Sequence, residues 1–306
     1  MLRYRVRLHA SFFSAFLIVE SNVTFSGLPK PLYAEQAFSP AERERHSIVL
    51  LNIDIDRESN HSVRNFWGHA VREMAQRRVL NRYLLEHYPR HYIYIGDVDE
   101  LLDPDALRGL HVDMCVLAPL VWAMYHEHCT FPHAWQMSLI IRSDHPVVRA
   151  ALNQSATQLR NTWVRDGAID WGKRCEKLVA PDGSSHTRLL GWHYSFAMTT
   201  PQILQKLRSN SHAHDAVVQN ILNKKSSDGP EGHIERYVRG CKSLHDEKRH
   251  RRRPPKDLYD LRLRSKPQGR LPPVPGWPRH PLAPDLNLSP DVAKPHLRWS
   301  RAEGLA

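Results

Sequence analysis

Short apolar runs and longer periodic stretches alternate along this chain. Residues 16–19 (Phe-Leu-Ile-Val) are a compact, β-branched-rich run and read as a buried strand. A second such run covers 47–53, and a third, Tyr92-Ile93-Tyr94-Ile95, follows Pro89. Between them, Phe66, Ala70, Met74, Val79, Leu80 and Leu84 fall near helical spacing without an interrupting proline, which predicts a helix over 63–87. Further on, apolar residues dominate 114–125, and 138–141 reads as another strand. A helix is predicted over 146–160, and another opens at Thr200 with Pro201 at its first position, where a missing N–H costs nothing. Strands alternating with helices predict an α/β domain with a mainly parallel central sheet.

The two ends need separate treatment. Residues 1–7 are basic and 8–19 mostly apolar, which imitates a short signal peptide. The run is shorter than the ~20 apolar residues a membrane span requires. No small-x-small cleavage site follows Val19, and the run leads into Glu20-Ser21-Asn22-Val23-Thr24. The expectation is therefore a strand at 16–19, with no transmembrane segment. At the other end, residues 249–306 hold eleven of the 22 prolines and few large apolar runs. They are expected to form a basic, Pro-rich, largely irregular tail behind a domain spanning 1–248.

Composition narrows the picture. A chain of 306 residues, 41% hydrophobic, can bury a sizeable core as one large domain plus a tail. The net charge of +11 favours acidic partners such as phosphates, nucleic acid or an anionic surface. Much of that excess is local: Arg249, Arg251, Arg252, Arg253, Lys256, Arg262, Arg264, Lys266 and Arg270 lie in one stretch. Cys115, Cys129, Cys175 and Cys241 form no Cys-x-x-Cys pair, which argues against a zinc cluster. Four cysteines allow two disulfides without demanding them. Sequons at Asn22, Asn60, Asn153 and Asn287 carry little weight alone.

The chemistry begins where the third run stops. Tyr92-Ile93-Tyr94-Ile95-Gly96 leads directly into Asp97-Val98-Asp99-Glu100. Open α/β sheets bind ligands beyond the carboxyl ends of their strands, and two Asp at i and i+2 can hold one hard divalent cation. The competing reading is a solvated acidic turn.

Four blocks of sequence carry a family resemblance. They are Phe16 through Gly27 with Lys30-Pro31-Leu32; Arg72-Glu73-Met74-Ala75-Gln76-Arg77; Gly96-Asp97-Val98-Asp99-Glu100; and Gly191-Trp192-His193-Tyr194-Ser195 followed by Lys206, Ser209 and His212. In this order and spacing the chain resembles glycosyltransferase family 17, the β-1,4-mannosyl-glycoprotein 4-β-N-acetylglucosaminyltransferases that add bisecting GlcNAc to N-glycans. The likeness runs from about residue 2 to 240. It implies a GT-A-like nucleotide-sugar-binding fold, a UDP-GlcNAc donor, a glycan or glycoprotein acceptor, a Mn²⁺ cofactor, inversion at the anomeric carbon and a Golgi location.

Those expectations assign roles. Asp99 is expected to touch the metal directly, and Asp97 to reach it through water or to hold the ribose, with Glu100 orienting either one. His193 is a candidate third metal ligand, weighed against an ordinary core histidine in a chain with 20 of them. Glu20 and Ser21, at the end of the first strand, are candidates for nucleotide binding, or a loop-capping pair. Arg77 and Lys206 are candidates for the donor phosphates, or exposed ion-pair partners. Trp192 is expected to pack in the core rather than on a sugar. The general base is not identified; Asp166 and Asp170, flanking residues 167–169 before Trp171, are candidates, with ordinary loop acids the favoured reading of either one singly. The rival function is a non-catalytic polyanion or nucleic-acid binder using the basic tail. It lacks interleaved aromatics and any recognisable motif, so no nucleic acid is expected.

Overall fold

The computed structural model describes residues 1–55, 66–126, 129–131, 134–154, 174–178, 188–210, 213, 215–223, 228–241 and 244; for 66–70 and 154 it describes the helix but not the side chains. The chain opens with helix α1 (Leu2–His9) and strand β1 (Phe16–Ser21). Helices α2 (Tyr33–Ala37) and α3 (Pro40–Arg45) lead to β2 (Ile48–Ile53), and the long helix α4 (Phe66–His87) follows. Strands β3 (Tyr92–Ile95), β4 (Glu100–Leu102), β5 (Cys115–Met124) and β6 (Trp135–Arg142) precede α5 (Pro146–Gln154). Strand β7 (Gly191–Ser195) and helices α6 (Thr200–Ser209), α7 (Ala216–Leu222) and α8 (Gly229–Arg239) complete the described elements.

The α/β class holds, but the sheet is not mainly parallel. Among the described residues, β1 and β2 form a two-stranded parallel pair, and the five-stranded sheet runs β3-β6-β5-β7-β4. Its β3/β6, β6/β5 and β5/β7 neighbours are antiparallel, antiparallel and parallel, and β4 closes the edge antiparallel to β7. The reason lies in the connections. A parallel neighbour needs a crossover of a dozen residues or more, whereas only ten residues separate β5 from β6, and the chain doubles back. Alternation of strands and helices holds before β3 and lapses between β3 and β6, which is where the inference of a parallel sheet fails.

The N-terminal segment that imitates a signal peptide is built into the fold. Val6 packs with Phe38 and Ile48 in one apolar cluster, and Tyr4 and Leu8 pack against Leu101, Ala123 and Tyr194 in another. Buried His9 places Nε2 at 3.0 Å from the Leu102 carbonyl and 3.2 Å from the Leu102 N–H. Burial and the neighbouring Arg5 lower its pKa from the ordinary 6.5 to about 4, so α1 is docked through a neutral imidazole. No helix among the described residues is long and apolar enough to cross a membrane.

Two disulfides use all four cysteines. Cys115–Cys175 ties the start of β5 to residues 174–178, and Cys129–Cys241 ties the segment after β5 to the end of α8. Beneath α6 and α8, Ile203, Leu204, Leu207, Ile234 and Val238 close over Met124, Tyr125 and Phe196. The helices after β7 are thereby fixed to the same end of the sheet as the acidic turn.

Candidate functional site

The site forms on one face of the β4-β7-β5 strip. Side chains alternate across a strand, so His193 and Ser195 share a face while Trp192 and Tyr194 turn to the other, against α1. Register sets His193 opposite Glu100 on one side and opposite Trp122 on the other. Gly191 makes this possible. A Cβ there would lie 2.0 Å from the Leu101 carbonyl oxygen, so only glycine lets β7 approach β4 this closely.

Glu100 is the organiser. Its side chain is fully buried and accepts from the Trp135 indole Nε1 at 2.7 Å, the Ser138 hydroxyl at 2.8 Å and the Asp97 backbone N–H at 2.7 Å. The last contact, with Glu100 N–H donating to the Asp97 carbonyl at 3.0 Å, closes the turn that carries Asp97 and Asp99. Gly96 is required beside it, because a Cβ would lie 2.7 Å from both Glu100 Oε2 and the Tyr94 hydroxyl. Arg5 of α1 braces the turn from outside, donating to the Gly96 carbonyl at 3.2 Å and also to the Asp97 carbonyl.

With the turn held this way, Asp99 points inward. Its Oδ2 accepts from Lys206 Nζ at 3.2 Å, and its Oδ1 lies 3.6 Å from His193 Nε2. The carboxylate side chain is 13% exposed, Lys206 35% and His193 7%. His193 is held on two sides: its ring lies 4.1 Å from that of Trp135, and Nε2 is 3.1 Å from Ser195 Oγ. Ser195 Oγ in turn accepts from the Trp122 indole at 3.2 Å. Lys206 is launched from α6, whose start is capped by Gln202 Oε1 accepting the Thr199 N–H at 3.0 Å, and its ammonium sits 5.0 Å above the Phe196 ring.

Asp97 takes a different direction. Its side chain is 52% exposed and faces Arg77 at 3.9 Å. Arg77 is anchored to Glu73 at 2.5 Å, one helical turn away, and its buried Nε has no hydrogen-bond partner among the described residues. Asp99, His193 and Lys206 thus form a recessed cluster, with Asp97 and Arg77 at its rim.

Glu20 and Ser21 of the first strand are arranged otherwise. Glu20 accepts from Lys30 Nζ at 2.6 Å, Tyr33 N–H at 3.0 Å and Ala34 N–H at 2.6 Å, which caps the start of α2. Ser21 Oγ is buried and accepts the Val23 N–H at 3.1 Å. Both do the work of a loop-capping pair. Gln76, next to Arg77 on α4, donates to the Val19 carbonyl at 2.7 Å, so β1 and β3 end beside the same turn of α4. Trp192 packs in the apolar cluster under α1, as expected. Asp166, Asp170 and His212 lie outside the described residues.

Along the sequence Trp135, Ser138 and Arg5 carry no assigned role, and Ser195 appears only as a member of the fourth block. Ser195 stands at i+2 from His193, which is the signal of a shared strand face; the others come from segments with no local mark. A groove along β2, lined by Leu50, Leu51, Asn52, Ile53, Asp54, Val79 and Arg82, contains none of the site side chains. His126, Cys129 and Cys241 could offer three ligand atoms within 4.8 Å, but both sulfurs are joined in a disulfide.

Chemically, the cluster offers carboxylate oxygens and an imidazole nitrogen beside two cationic side chains. Hard oxygens with one borderline nitrogen suit Mn²⁺ or Mg²⁺, and ammonium and guanidinium groups suit phosphate. No protein-family model, no curated protein and no solved structure matches this chain.

Proposed function

We propose that this protein is a metal-dependent glycosyltransferase that moves N-acetylglucosamine from UDP-GlcNAc to a mannose of an N-glycan or related glycan, with inversion. The reading rests on one observation above the rest: Asp99 in the turn after β3 meets His193 and Lys206, which lie 94 and 107 residues further along the chain. Asp99 comes from the third block of the glycosyltransferase family 17 resemblance and His193 and Lys206 from the fourth, and the fold gathers them at one point. A GT-A-like arrangement is supported by β1 and β3 ending beside one turn of α4. Two disulfides suit an oxidising compartment such as the secretory pathway.

The roles follow from position. Asp99 and His193 would hold a divalent cation, with Asp97 reaching it from the rim. Such an ion neutralises charge on a departing diphosphate. Lys206 and Arg77 supply positive charge on either side of Asp99 and Asp97, where a diphosphate would lie. Glu100 keeps the turn closed, and Trp135 and Ser195 keep the His193 ring in place. In the transfer, an acceptor hydroxyl attacks the anomeric carbon as its bond to the diphosphate oxygen breaks, and a base accepts the hydroxyl proton.

The test is incubation of the purified chain with UDP-GlcNAc, Mn²⁺ and a panel of mannose-terminated and N-glycan acceptors. Transfer is expected in the wild type, and none with Asp99→Ala at unchanged near-UV circular dichroism. Absence of both transfer and metal-dependent UDP binding in the wild type overturns the proposal.

A further inference from the structure

Asp99 has two cationic or basic neighbours, one enclosed and one partly exposed. The His193 side chain is 7% exposed on β7, its ring set against Trp135 and its Nε2 held by Ser195. Lys206 projects from the surface of α6 on a four-carbon stem and is 35% exposed, and among the described contacts its ammonium meets Asp99 Oδ2 and the face of Phe196. An ammonium and a divalent cation cannot both sit close to one recessed carboxylate, because like charges repel strongly where water screens them poorly.

We propose that Lys206 is a movable cation that competes with the metal for Asp99, and that a diphosphate relieves the competition by drawing the ammonium onto itself. The inference builds on the metal-dependent reading and adds a consequence to it. Metal alone binds weakly, since it must displace the Lys206–Asp99 pair. Metal with a nucleoside diphosphate binds well, since the displaced ammonium gains an anionic partner. Binding of the two is therefore cooperative, and by linkage each raises the affinity of the other by the same factor. The site would then take up its metal together with its donor rather than hold it permanently.

Lys206→Met retains the stem and its packing while removing the charge. Titration with MnCl₂ alone, followed by electron paramagnetic resonance of free Mn²⁺, should show roughly tenfold tighter binding in Lys206→Met than in the wild type. Titration with UDP at saturating Mn²⁺ should show roughly tenfold weaker binding in the variant. Lys206→Arg should restore the wild-type order of both. If Lys206→Met does not fold by near-UV circular dichroism, Lys206→Gln takes its place. Unchanged or weaker Mn²⁺ binding in a folded variant makes the ion pair a structural one and overturns the inference. If wild type and variant both ignore Mn²⁺, or if Asp99→Asn binds it as well as the wild type, the metal reading itself fails, and the inference falls with it.

Discussion

Glu20 and Asp99 begin as comparable residues: each is an acid near the carboxyl end of a strand, Glu20 in the last two residues of β1 and Asp99 in the turn after β3, and both strands finish beside the same turn of α4. The fold separates them by what reaches their oxygens. Glu20 receives two backbone N–H groups and a lysine from within its own neighbourhood in sequence, 10 to 14 residues away. It is a cap. Asp99 receives none of the backbone N–H donors of its own turn; the Asp97 N–H goes to Glu100 instead. Its partners come from the far end of the domain. An acid whose acceptors are used locally supports structure, and one whose local donors are diverted elsewhere is left available for a ligand.

That contrast can be broken most sharply at Asp99 itself. Asp99→Asn should lower transfer about a thousandfold, ~4 kcal/mol in barrier, with little change in melting temperature. If activity survives, the distinction from Glu20 has no functional content. Glu100 is the residue that diverts the donor. Glu100→Ala would strand the Trp135 indole, the Ser138 hydroxyl and the Asp97 N–H in a buried site, and chemical denaturation should register a loss of roughly 3–5 kcal/mol. A loss under 1 kcal/mol would mean that the turn closes without it.

The docking of α1 behind the turn gives a pH signature. His9 has its folded pKa lowered to about 4, against 6.5 when unfolded. The unfolded chain therefore binds the proton first, and this contribution to stability is complete above pH 6.5 and declines as pH falls toward about 4. The full span is about 3 kcal/mol, and His9→Gln should flatten stability across that window. A wild-type profile already flat between pH 6.5 and 4 would contradict a buried neutral His9. The smallest effect is expected at Glu20. Glu20→Gln should cost roughly 1–2 kcal/mol of stability through the α2 cap and the Lys30 pair, while transfer by the folded protein stays at wild-type rate. A selective loss of UDP affinity in that variant would restore a nucleotide role to Glu20 and erase the comparison.

Strand runs, the long helix and the acidic corner were legible along the chain, because hydrophobic period and strand-end chemistry are local properties. Residues 16–19, 92–95 and 138–141 lie in strands where expected, and the helix over 63–87 appears as Phe66–His87. Pairing direction was not legible. The five-stranded sheet takes one parallel and three antiparallel pairings among the described residues: a short connection reverses the chain between β5 and β6, while β3/β6 and β4/β7 pair strands that are distant in sequence. Nor could local sequence show that residues 1–9 pack into the core, because burial there depends on Leu101, Ala123 and Tyr194, which lie roughly a hundred residues or more away.

For the site, the sequence alone determined which residue types stand at the strand end: two Asp and a Glu after an apolar run, with Gly96 ahead of them. It could not tell their duties apart, since a carboxylate's role depends on the donors that reach it. Tertiary structure decided that Glu100 is buried as the turn's anchor, that Asp97 faces Arg77 at the rim, and that Asp99 meets His193 and Lys206. Those donors arrive by strand register and helix docking across about a hundred residues, and no local pattern encodes a distance in space.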